Sequence, residues 1–157
     1  MLKTITMNGI VMQEDSSMTI LDVARKHGID IPTLCFLKKD DCNFVHRPAS
    51  CRVCVVEVKG RRNLSPACAT YIEEGMEILT NSYKVRQERK NIVELLLSNH
   101  PNACLTCRKS GDCELQALSA KLGVNNNLEF AGPLSQENKE YHFGAILRNP
   151  SKCILCN

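Results

Sequence analysis

Apolar and polar residues alternate at the start of the chain, in "KTITMNGIVMQED" (residues 3–15), on both sides of Asn8-Gly9. Period-two alternation is the mark of a half-buried strand, and Asn-Gly accepts the positive φ of a tight type I′ turn, so this stretch predicts a β-hairpin. The period then changes. In "SMTILDVARKHGI", Ser17 or Thr19 can cap a helix, Ile20, Leu21, Val23 and Ala24 supply its buried side, and Gly28 ends it. Pro32 opens an extended loop in "DIPTLC". The β-branched run from about Val53 to Val58 predicts a strand, "RRNLSPACAT" a turn and loop, and "MEILT" another strand. Hairpin, helix, loop, strand, loop, strand is an α+β order, with one helix packed across one small mixed sheet, and it covers residues 1–80.

A long helix is expected in "SYKVRQERKNIVELLLSNH", with Ser82 as N-cap and Val85, Ile92, Leu95 and Leu96 on one face. Pro101 ends it and leaves His100 in an extended turn. A second helix runs from about Cys113 to Gly123, which together with the first makes a small helical segment over residues 81–124. Residues 125–157 are polar and irregular, a tail expected to wrap over a surface or a partner.

The chain has 157 residues, and 43% of them are hydrophobic. That supports a real core, which must be aliphatic because there is no Trp and there are few aromatics. No apolar run follows a basic head, and the longest, near "IVELLL", is too short for a bilayer. These features predict a cytoplasmic protein without a membrane span. Ten cysteines are many for such a chain. In a reducing compartment they bind metal or do redox chemistry more often than they form disulfides. Cys51/Cys54, Cys104/Cys107 and Cys153/Cys156 are C-x2-C pairs, a spacing that lets two thiolates face one ion or cluster. The formal charge of +3 counts every thiol as neutral. Thiolates on one two-iron and one four-iron cluster would contribute about −3 and bring the net charge near zero. The cations are also scattered, so nucleic acid is not an expected partner.

Two cysteine sets stand out. The first holds Cys35, Cys42, Cys51, Cys54 and Cys68. The second, in "SNHPNACLTCRKSGDCELQ", holds His100, Cys104, Cys107 and Cys113 at H-x3-C-x2-C-x5-C. Three thiolates and an imidazole, taken alone, suit zinc.

"DIPTLC", "CRVCVVEV" and "PAC" resemble the ferredoxin domain at the start of NAD(P)-linked iron-only hydrogenases. The same domain opens the largest peripheral-arm subunit of respiratory complex I. The resemblance implies a β-grasp fold and a [2Fe–2S] cluster on Cys35, Cys51, Cys54 and Cys68. C-x2-C-x13-C is intact, but fifteen residues separate Cys35 from Cys51, about five more than in the family, and Cys42 lies in that longer loop. Cys42 is therefore an alternative first ligand, although "IPTLC" matches the family position. "NHPNACLTC" and "GDCELQ" resemble the four-iron site of the same families, which implies a [4Fe–4S] cluster on His100, Cys104, Cys107 and Cys113. "NPSKCILCN" is similar to the first half of a bacterial ferredoxin run. Cys153 and Cys156 could then belong to a third [4Fe–4S] site, completed by further chain or by a partner, or stand as free thiols.

No glycine-rich phosphate loop and no recognisable catalytic nucleophile is present. His27, His46 and His142 lack ligand spacing. The family implies an iron–sulfur subunit that relays single electrons between a flavin- and NAD(P)-reactive partner and another redox centre. That centre could be a hydrogenase, a formate dehydrogenase or a bifurcating flavoenzyme, in a hetero-oligomer of anaerobic metabolism. A zinc-stabilised interaction module, an iron–sulfur sensor and a free diffusible ferredoxin are the rival readings.

Overall fold

The structure, a computed structural model, describes residues 1–37, 48–101, 103–124, 130, 132–133 and 139–155. Two compact units share the chain, Met1–Arg89 and Lys90–Cys156, with Asn157 grouped with the first.

The first unit opens with the expected hairpin. Strand β1 (Leu2–Met7) pairs antiparallel with β2 (Ile10–Asp15), in a register that places Met7 opposite Ile10. Asn8 (φ 52°) and Gly9 (φ 85°) both take the left-handed backbone that the tight turn demands. The Asn8 amide is locked to Thr80: its Nδ2 donates to Thr80 Oγ1 at 2.8 Å, and its Oδ1 accepts from Thr80 N at 2.9 Å. Helix α1 (Ile20–Lys26) starts at Thr19, not Ser17. A reciprocal capping box explains the choice, because Thr19 Oγ1 accepts from Asp22 N while Thr19 N donates to the Asp22 carboxylate.

Three more strands complete the sheet: β3 (Val55–Val58), β4 (Ser65–Pro66) and β5 (Glu77–Leu79). Their order is β2-β1-β5-β3-β4, and β1 with β5 is the parallel pair, so the sheet is mixed as expected. Strand β3 begins two residues later than its β-branched run suggests. Arg52 sits at φ 62° and its carbonyl accepts from Val55 N, so the chain is still turning at Val53. Strand β4 lies inside the stretch expected to be only turn and loop; two residues with a proline carry no periodic signal, and its place at the sheet edge tolerates the missing N–H. The core is aliphatic. Ile5, Met7 and Met12 of the hairpin, Ile20, Leu21, Val23 and Ala24 of α1, and Val56, Val58 and Ile78 of the sheet are buried together. Each large side chain so buried contributes roughly 1.5–3 kcal/mol.

Helix α2 (Tyr83–Ser98) follows, with Ser82 as its cap: Ser82 Oγ accepts from Val85 N at 3.3 Å. Its buried positions differ from the expected apolar stripe. Val85, Arg89 and Val93, spaced by four, are buried, whereas Leu95 is 52% exposed. Helix α3 (Glu114–Leu122) starts after Cys113 and ends on Gly123, left-handed at φ 65°. A second hairpin, β6 (Tyr141–Phe143) with β7 (Ile146–Arg148), stands where irregular chain was expected. Its turn glycine, Gly144 (φ 58°), is the signal that the polar composition around it hides. Among the described residues, no helix is long and apolar enough to cross a membrane.

Candidate iron–sulfur sites

In the first unit, Cys35, Cys51, Cys54 and Cys68 are all buried, and no described cysteine is in a disulfide. Cys54 is 1% exposed and sits at the entry to β3; Cys68 returns from the loop after β4. Their sulfurs are 3.2 Å apart. Two backbone donors also reach sulfur: Ala49 N to Cys68 Sγ at 3.2 Å, and Cys51 N to Cys35 Sγ at 3.5 Å. The loop achieves this with two non-glycine residues in the left-handed region, Ala49 (φ 70°) and Arg52 (φ 62°), on either side of Cys51. Such conformations are uncommon, and here they turn N–H groups toward sulfur.

The thiols answer to this setting. Burial pushes Cys51 above its ordinary value, partly opposed by the backbone N–H groups of Val53 and Leu34. Cys54 is drawn down to about 6, chiefly by the hydrogen bond from the Cys68 thiol. Cys68, holding that proton, is pushed up. Four buried sulfurs with inward N–H donors and few ordinary hydrogen-bond partners suit a group that binds thiolates, so these residues fit a two-iron cluster. Cys42 and His46 lie outside the described residues.

In the second unit, His100, Cys104, Cys107 and Cys113 line one cavity of about 150 Å³. The C-x2-C pair is shaped by a 3-10 turn over Cys104–Thr106, closed by Cys107 N donating to Cys104 O at 3.2 Å. Cys113 is the N-cap of α3, yet its side chain makes no capping bond, which leaves its sulfur available. The positive end of α3 faces the same region and favours an anionic occupant. His100 Nδ1 is buried and has no hydrogen-bond partner among the described residues. An orphaned ring nitrogen on the wall of a cysteine-lined cavity is what a metal-binding imidazole looks like without its metal. Burial lowers the His100 pKa below its ordinary value, which favours the uncharged ring that a ligand must present. Lys109 and Lys152 also line the cavity and bring positive charge to its rim.

Cys153 is exposed and Cys156 lies outside the described residues, so the third pair forms no described site. His142 is exposed. His27 is a structural partner rather than a ligand: its Nε2 meets Glu14 Oε1 at 2.7 Å.

Two family models match the stretches of chain that contain these two residue sets. A family model described as "2Fe-2S iron-sulfur cluster binding domain" matches residues 3–83. The chain belongs to this ferredoxin-domain family. A second model, "NADH-ubiquinone oxidoreductase-G iron-sulfur binding region", matches residues 89–127. The ferredoxin-type domain is thus followed by a four-iron binding region, and the chain carries binding regions for both cluster types. Among relatives, the "NADP-reducing hydrogenase subunit HndD" of Solidesulfovibrio fructosivorans is 46% identical over 98% of this chain. The "NADPH-Fe(3+) oxidoreductase subunit alpha" of Geobacter sulfurreducens is 37% identical over 98%. The "Iron hydrogenase 1" of Clostridium pasteurianum is 36% identical over 99%. The chain spans only 26%, 17% and 26% of these relatives, respectively. A crystal structure of an "NAD+-reducing [NiFe]-hydrogenase in the H2-reduced state" matches with a TM-score of 0.84 at 29% identity, over 98% of this chain and 62% of that one.

Arg89 is the site residue that sequence reasoning missed. It is buried beside the first cysteine set, where its Nη2 donates to the carbonyl of Val55, the residue after Cys54. An arginine in a charged helix gives no sign of burial; only its place four residues after Val85 and four before Val93 could have pointed to it.

Proposed function

We propose that this chain is the electron-relay segment of an NAD(P)-linked oxidoreductase. Cys35, Cys51, Cys54 and Cys68 hold the [2Fe–2S] cluster; His100, Cys104, Cys107 and Cys113 hold the [4Fe–4S] cluster. The observation that carries this is the pairing of donor sets with compact units: each unit gathers one set, and each set falls inside an iron–sulfur region of the matching type. The Cys51 N–H on the Cys35 sulfur supports Cys35 over Cys42 as the first ligand. The functional segmentation we propose is residues 1–80 as the ferredoxin-like domain, 81–124 as the four-iron domain and 125–157 as the tail; the compact units divide later, between Arg89 and Lys90.

When bound, the clusters supply reversible one-electron oxidation and reduction. The protein's own residues do the rest. Cys54 and Cys68 are part of the aliphatic core that includes α1, and Cys35 and Cys51 are buried as well. The backbone N–H groups at Ala49 and Cys51 stabilise negative charge on sulfur. The neutral His100 ring supplies a donor without the charge of a thiolate, which eases reduction of its site.

The subunit names of the relatives support a hetero-oligomeric setting, which we place in the cytoplasm. There a flavin- and NAD(P)-reactive partner exchanges electrons with one site and a further redox centre with the other. The test is a stepwise reductive titration without oxygen, followed by electron paramagnetic resonance. Two distinct signals that appear and disappear reversibly are expected. A chain that takes up no electrons reversibly contradicts the relay.

A further inference from the structure

Arg89 is 5% exposed, and among the described residues it makes no ion pair with a carboxylate. Its Nη2 donates to Val55 O at 2.8 Å, while its Nε is buried without a hydrogen-bond partner. Burial pulls its pKa down to about 10, so it stays charged at neutral pH. Burying a cation without a counter-charge is costly, and satisfying one strand carbonyl does not require a charge. The negative groups that support its charge are Cys54 first and Asp30 second. Cys54 is the residue just before the carbonyl that Arg89 holds, and its sulfur is one of the buried four.

We propose that Arg89 is the buried counter-charge of the four-cysteine site. It is a positioning residue with two effects. It makes the site easier to reduce, because one added electron meets a fixed positive charge across a weakly screening interior. It also ties the stability of the first unit to a filled site, since without the anionic ligand set Asp30 is the remaining negative group that supports the buried guanidinium. The inference rests on the four cysteines holding a two-iron cluster.

Three variants separate charge from hydrogen bonding: Arg89→Lys keeps the charge, Arg89→Gln keeps a donor without charge, and Arg89→Met removes both. The full chain, purified without oxygen, is titrated potentiometrically while the two-iron resonance is followed. Expected is a negative shift of the two-iron midpoint in the Gln and Met variants, a midpoint near wild type in the Lys variant, and no shift of the four-iron signal in any. Equal midpoints for wild type and Gln overturn the proposal, because a hydrogen bond alone would then suffice. If the Gln variant does not load iron, the Lys variant decides: loading by Lys alone supports a required charge, and failure of both overturns it. Absence of any two-iron resonance in the wild type would instead remove the cluster assignment beneath the proposal.

Discussion

The sulfur atoms of Cys54 and Cys68 lie 3.2 Å apart, although fourteen positions separate the two residues in sequence. The contact closes because β3 and β4 pair antiparallel between them, Val55 with Pro66 and Val56 with Ser65. At that distance the sulfurs are not bonded, since a disulfide needs about 2.05 Å. Replacing Cys68 by Ser is expected to abolish the two-iron resonance and reduce iron from about six to about four per chain, with the four-iron signal retained. Iron analysis with resonance spectroscopy checks this. Retention of the two-iron signal at full intensity would remove Cys68 from the ligand set.

His100 makes a sharper test of the second site. Its buried, unpartnered Nδ1 and its neutral ring fit a ligand that brings no charge. In His100→Cys a thiolate takes its place, so a cluster is expected to persist at a lower midpoint potential. A potentiometric titration decides; an unchanged or raised midpoint counts against ligation by His100.

The entry to α1 rests on the Thr19–Asp22 capping box. Thr19→Ala is expected to cost about 1 kcal/mol of stability. The readout is a lower Tm for the iron-loaded chain, compared with wild type at one scan rate because cluster loss makes unfolding irreversible. An unchanged Tm would mean that the burial of Ile20 and Leu21 fixes the helix start unaided.

Glu14 predicts a pH dependence. It occupies a buried position on β2 and binds Lys26 Nζ and His27 Nε2, each at 2.7 Å, at the end of α1. Hydrogen bonds from Lys26 and then His27 lower its pKa below 4.5. A lowered carboxyl pKa adds stability that is present above the unfolded value and lost as pH falls through the folded one. Glu14→Gln is therefore expected to lower Tm at pH 7, with a gap from wild type that narrows as pH falls below about 4.5. A gap constant across that range would assign the effect to packing instead of charge.

Much of this was legible in the sequence because local chemistry left little choice. Asn8-Gly9 allows a tight turn and little else, and a cap at Ser17 or Thr19 and the glycine Gly123 mark helix ends; the choice of Thr19 rests on its reciprocal bonds with Asp22. The cysteine sets were legible for a similar reason, since C-x2-C spacing constrains where two sulfurs point. What the sequence hid depends on partners distant along the chain. Arg89 and Glu14 look like solvated charges until the carbonyl of Val55 and Lys26 and His27 at the end of α1 are in place. Leu95 belongs to an apolar stripe by spacing, yet it is exposed, because burial on α2 follows Val85, Arg89 and Val93. Val53 has strand propensity but lies beside a left-handed Arg52 that serves the cysteine loop.

The most direct measurement is iron and zinc per chain on protein purified without oxygen. About six irons and no zinc are expected from one two-iron and one four-iron cluster, and about ten would mean that Cys153 and Cys156 belong to a completed third site. One or two zincs with almost no iron would contradict the electron relay and leave a zinc-folded binding module in its place.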